Sequence, residues 1–82
     1  MPNVIRESGF SFKINTDDHE PMHVHVWKQG RQAIVNFEDV VLVRNNYGMN
    51  RNEIRQILAI VEKNQEFLQK RWREIDESKQ SR

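Results

Sequence analysis

The chain reads as an α+β domain, an antiparallel sheet of three or four strands packed against a long C-terminal helix, and two patterns require this reading. Core-type residues alternate in Phe10-Ser11-Phe12-Lys13-Ile14 and His23-Val24-His25-Val26-Trp27, and Ala33, Val35 and Phe37 share one face of a third segment; this is the period of strands with one buried face. From Arg51 onward the apolar residues fall instead at Ile54, Ile57, Leu58, Val61, Leu68, Trp72 and Ile75. At 100° per residue these form a single helical stripe. Residues 1–82 make one domain, with strands over about 9–43 and the helix over about 51–77.

Met1 to Ser8 is weakly patterned and reads as an extended lead-in. A first strand is expected at Gly9–Asn15, followed by turn chemistry in Asn15-Thr16-Asp17-Asp18, whose short side-chain oxygens satisfy local backbone donors. The second strand runs His23–Lys28, and Gln29-Gly30-Arg31 is a hairpin loop in which Gly30 supplies a positive φ. The third follows at about Gln32–Phe37. After Glu38-Asp39, the short run Val40-Val41-Leu42-Val43 fits either a fourth strand or the first turn of a helix, and Arg44 to Gly48 reads as a connection. Asn50 is a good N-cap, and Glu53 three positions later completes a capping box.

That helix would be roughly 40 Å long if straight, whereas six-residue strands span about 20 Å. Its second half therefore either bends near Asn64-Gln65 and folds back, or projects and is covered by something else. Ile60 and Phe67, one heptad apart, form a second apolar line. With Trp72 they are candidates for an interface with a second copy or a partner helix, if they do not simply widen the core face.

Composition limits the function. Eighty-two residues bury only a modest core, so association with a copy of itself would add needed burial. There is no cysteine, which excludes a disulfide framework or a thiolate zinc site and makes the cytoplasm the expected compartment. No apolar run approaches a bilayer span and Met1-Pro2-Asn3-Val4 does not begin a signal peptide, so no membrane role is expected. The net charge of +1 does not by itself indicate nucleic acid; it divides as −2 over residues 1–40 and +3 over 41–82. A basic second half suits an anionic partner, although interleaved acidic residues also make a solvated helix face.

The chemistry concentrates in Asp17-Asp18-His19-Glu20-Pro21-Met22-His23-Val24-His25-Val26-Trp27, which holds all three histidines. Pro21 keeps Glu20 out of the α region, so the strand starts after a bend. With Val24 and Val26 inward, His23 and His25 leave the opposite face about 6.6 Å apart at the backbone, and His19 is a possible third member. Three readings follow. The histidines occupy a wet sheet face, with Trp27 and Ile34 suggesting that something covers it. Alternatively His23, His25 and His19 perform metal-independent acid–base work on RNA, as in a ribonuclease, with Lys13 on the same face and Arg31 at the hairpin as cations. Finally His19, His23 and His25 hold a divalent transition metal, with Asp18 or Glu20 beside them. No glycine-rich phosphate loop, Ser or Cys nucleophile constellation or helix-turn-helix pattern is visible.

Gly9-Phe10-Ser11-Phe12, followed by the string Asp18 to Val26 and closed by Leu68-Gln69-Lys70-Arg71-Trp72, resembles the small bacterial proteins of the domain of unknown function 4160 family. The resemblance runs from about Ile5 to Trp72. The family's string is His-Glu-Pro-Pro-His-x-His-like, and Met22 stands here at the second proline. Arg71 stands where an asparagine or small residue often precedes the tryptophan. The resemblance implies membership of a two-gene module of toxin–antitoxin type, encoded beside a second small protein. It adds weight to His19, His23 and His25 without naming their activity. The expectation is a component of such a pair, on the toxin side acting on RNA through the histidine-lined face; the alternatives are a non-catalytic partner-binding component using the helix flank, or a metal-binding module.

Overall fold

Two hairpins with the same turn begin the sheet. Ser8 and Gly9 have φ of 55° and 82°, and Gln29 and Gly30 have 51° and 78°. Paired positive φ values in two-residue loops match the twist of the flanking strands and give Glu7↔Phe10 and Lys28↔Arg31 as closing pairs. In the computed structural model, which describes residues 3–15 and 21–80 and the side chains of 5–15 and 21–75, the elements are β1 (Asn3–Glu7), β2 (Phe10–Lys13), β3 (His23–Lys28), β4 (Arg31–Asn36), β5 (Leu42–Tyr47), α1 (Arg51–Lys63) and α2 (Gln65–Gln80). The strands form one antiparallel meander in the order β1-β2-β3-β4-β5.

The fold is therefore α+β as expected, with five strands among the described residues rather than three or four. The difference lies at the edges. β1 lies in the weakly patterned lead-in, and the run Val40–Val43 leads into a strand rather than a helix, β5, which starts at Leu42 and takes up most of the expected Arg44–Gly48 connection. Neither shows clean alternation because each carries a register shift. In β5, Val43 pairs with Val35 and Asn45 with Ile34, so Arg44 is the extra residue of a bulge. The bulge returns Asn45 and Tyr47 to the face that carries Leu42. It also interrupts the flat edge that would invite further strands.

One face of the sheet is covered. Phe10, Phe12 and Ile14, Val24 and Val26, and Ala33, Val35 and Phe37 pack with Ile57, Ile60, Val61, Leu68 and Trp72 in a single buried cluster. α1 begins as its sequence indicates: Asn50 Oδ1 accepts from the Glu53 N–H at 2.9 Å while Glu53 Oε1 accepts from the Asn50 N–H at 3.0 Å. The same carboxylate oxygen accepts from Arg31 Nη1, which joins the β3–β4 hairpin to the helix start. Gly48, at φ +100°, lets the Arg31 stem pass; a Cβ there would sit 3.1 Å from Arg31 Cγ.

The long helix is interrupted at Asn64, whose N–H is shared between the carbonyls of Ile60 (3.1 Å) and Val61 (3.2 Å). α2 neither folds back as a hairpin nor projects bare. It carries Leu68 and Trp72 over the end of the core. Gln65, the polar interruption of the apolar stripe, donates its amide to the carbonyls of Phe37 (2.9 Å) and Asp39 (2.6 Å). Gln69, one turn later, donates to those of Glu38 (3.0 Å) and Phe37 (3.3 Å). Two glutamines on one helix face thus satisfy carbonyls of the β4–β5 loop. No helix among the described residues is long and apolar enough to cross a membrane.

A candidate binding surface on the helix-free sheet face

With the helices on one side, residues of the other phase line a face that no described element covers along most of its width. The register stacks them in two cross-strand rows. Arg6, Ser11, Trp27, Gln32 and Tyr47 form one; Lys13, His25, Ile34 and Asn45 form the next. Trp27 is 38% and Tyr47 56% exposed, and Leu42 at the far edge is 46% exposed. Ile34, in the middle of the second row, is half-buried.

The two strand histidines stand together but in different surroundings. Their rings are 5.3 Å apart, edge to face. His23, at the end of β3, is only 6% exposed, because the Trp72 ring closes over it at 5.5 Å and also meets Phe37 at 6.3 Å. His23 Nδ1 lies 2.9 Å from the Pro21 carbonyl. A carbonyl only accepts, so Nδ1 carries the proton. His25 is half-buried and held from both sides: Gln32 Nε2 is 3.1 Å from its Nδ1, and Asn15 Nδ2 is 3.1 Å from its Nε2. A neutral imidazole accepts at one nitrogen only. Either tautomer satisfies the ring: Gln32 donates to Nδ1 while Asn15 turns its oxygen to the Nε2–H, or Asn15 donates to Nε2 while Gln32 turns its oxygen to the Nδ1–H. Such a ring is well positioned, but it must release one amide before exchanging a proton with a substrate.

The residues expected at the site divide accordingly. Lys13 lies directly opposite His25 in the register, as its alternation implied. His19, with Asp18 and Glu20, lies outside the described residues. Among the described residues no group of three His, Asp or Glu side chains is arranged to hold a metal ion. Arg31, expected as a cation beside the histidines, is engaged with Glu53 at the helix start. Of the helix-flank set, Ile60 and Trp72 are 5% and 6% exposed and belong to the core, which leaves Phe67, at 45%, as the member on the surface. Sequence periodicity identified the stripe but not which of its two lines the sheet would cover.

Tyr47 and Gln32 were not singled out from sequence. Tyr47 joins the face only because of the bulge at Arg44, and Gln32 is recognisable only once the β3–β4 register sets it beside both Trp27 and His25. The electrostatics of the face are one-sided. Among its described residues are Arg6 and Lys13 and no carboxylate. Glu7 points to the core side, where Lys63 meets it at 2.8 Å, and Glu38 and Asp39, the nearest acidic pair among the described residues, line a cleft of about 260 Å³ at the Leu42 edge of the face with Pro21, Asn36, Val40 and Leu42.

No curated protein and no solved structure matches the chain. A family model does, over residues 9–73, from the β1–β2 turn through the tryptophan that covers His23. The chain belongs to the domain of unknown function family DUF4160.

Proposed function

We propose that this chain is one component of a bacterial toxin–antitoxin-type pair, encoded with a second small protein and working in the cytoplasm, and that its helix-free sheet face binds single-stranded RNA. The observation that carries the RNA reading is the composition of that face. Two exposed aromatic rings, Trp27 and Tyr47, lie in one row with Arg6, Lys13 lies in the next, and no carboxylate interrupts them among the described residues. Unpaired bases stack on aromatic side chains while cations follow the phosphates, and single-stranded RNA exposes both groups at once.

Binding is favoured over cleavage by the histidines. An acid–base pair needs two imidazoles within reach of one phosphodiester. His23 shows little of its ring beside Trp72, and His25 is clamped between Asn15 and Gln32. On this reading His25 orients Gln32 rather than moving a proton.

Purified protein titrated against a labelled, unstructured RNA and against a duplex of equal length tests the reading. Selective binding of the single strand is expected, weakened about tenfold when Arg6 and Lys13 are both replaced by alanine, since each lost phosphate contact removes part of the counterion-release term. Absence of RNA binding at low salt overturns it. Growth arrest on expression of the chain alone, relieved by the adjacent gene, is the corresponding expectation for the two-protein module.

A further inference from the structure

We propose that Trp27, Gln32 and Tyr47 form a subsite for one unpaired base, sandwiched between the two aromatic rings with its edge over the Gln32 amide, and that the subsite prefers bases bearing an exocyclic amino group. The proposal rests on the RNA reading above and names what the face selects.

The register carries the geometry. Trp27 pairs with Gln32 and Gln32 with Tyr47, so the two aromatics stand on strands either side of β4 and point to the same face. Two strand spacings separate their backbones by about 9.6 Å. A base in van der Waals contact on both sides needs about 7 Å between ring planes, which modest leaning of the two rings provides. Both rings keep a substantial surface for a ligand, at 38% and 56% exposure.

Gln32 lies on the floor between them, and its amide is not free to turn at no cost. Its Nε2 lies 3.1 Å from His25 Nδ1. With His25 in its Nε2–H tautomer Gln32 donates there, and its Oε1, an acceptor, is left for a base edge. Adenine N6 and cytosine N4 carry exocyclic N–H donors, whereas uracil has the acceptor O4 at that position and only its ring N3–H as a donor on that edge. His25 and Asn15 thus act through Gln32 as positioning residues. The occupant is a nucleic-acid strand because Arg6 extends the same row and Lys13 flanks it; these cations suit phosphates on either side of a buried base.

The test uses the intact protein and labelled oligoadenylate, oligocytidylate and oligouridylate of equal length, with circular dichroism to confirm that each variant is folded. Oligoadenylate and oligocytidylate are expected to bind several-fold tighter than oligouridylate. Trp27→Ala and Tyr47→Ala each lower oligoadenylate affinity about tenfold, while Trp27→Phe and Tyr47→Phe retain most of it. Gln32→Ala equalises the three oligonucleotides without weakening oligouridylate. RNA binding that is indifferent to both aromatic truncations, or a base preference that survives Gln32→Ala, overturns the subsite and leaves the RNA reading standing. Failure of the wild-type protein to bind any of the three, or a longer single strand, overturns both.

Discussion

Glu53 shows how one residue can hold three parts of the chain. Its carboxylate accepts from the Asn50 N–H, closing the start of α1, and from Arg31 at the base of the β3–β4 hairpin. The Arg31 hydrogen bond, followed by that of Asn50, lowers its pKa below the ordinary glutamate value of 4.5. Because the folded value lies below the unfolded one, the carboxylate's contribution to stability is complete above the unfolded pKa and is lost as pH falls through the folded one. Glu53→Gln keeps an acceptor oxygen but removes the charge. We expect it to lower the urea midpoint at pH 7 and to converge on the wild type as pH falls well below 4.5; a constant gap between the two at every pH contradicts the assignment. The capping half of this arrangement was legible from Asn50 and Glu53 alone, since it is local. Arg31 was not, because an arginine at a hairpin has the same sequence signature whether it faces a ligand or a helix start twenty-two positions away.

At the scale of elements, what sequence could and could not show follows the distinction between central and edge strands. β3 and α1 were readable because their period is set by burial against a neighbour: Val24 and Val26 inward, then Ile57 and Val61 inward. β5 was not, because an edge strand with a bulge has only one paired side and no continuous alternation. The break at Asn64 was anticipated from helix length, but the means of holding α2 was not. Gln65 and Gln69 each donate to carbonyls of the 37–39 loop, a contact invisible to any one-dimensional pattern that scores glutamine as polar. Each glutamine amide is shared between two carbonyls, and each forked contact, counted as one hydrogen bond, contributes about 1 kcal/mol. The double variant Gln65→Ala, Gln69→Ala is therefore expected to lose about 2 kcal/mol in denaturant unfolding with the slope unchanged, and amide exchange should accelerate first in α2. Unchanged stability, or equal acceleration in β3 and α2, rules out the clamp.

Across the whole molecule the two sides differ in kind. The helical side buries the apolar core and carries charges of both signs, arginine and lysine interleaved with glutamate along both helices, whereas the two rows on the opposite face of the sheet present Arg6, Lys13, Trp27 and Tyr47 with no carboxylate among their described residues. A net charge of +1 conceals this, because it averages over surfaces that only the fold separates. The consequence for binding is separable by salt. If Arg6 and Lys13 each meet a phosphate, log affinity for single-stranded RNA falls with log salt, and each replacement by glutamine makes that slope shallower by about 0.7. The aromatic variants, by contrast, lower affinity at every salt concentration and leave the slope unchanged, because stacking releases no counterions. Phe67→Asp, on the exposed flank of α2, adds a negative charge to the other side and is expected to change neither quantity. Affinity of wild type and variants measured across a salt series therefore distinguishes the surfaces: a slope that responds to Phe67→Asp but not to Lys13→Gln would assign the nucleic-acid contact to the helices and not to the sheet.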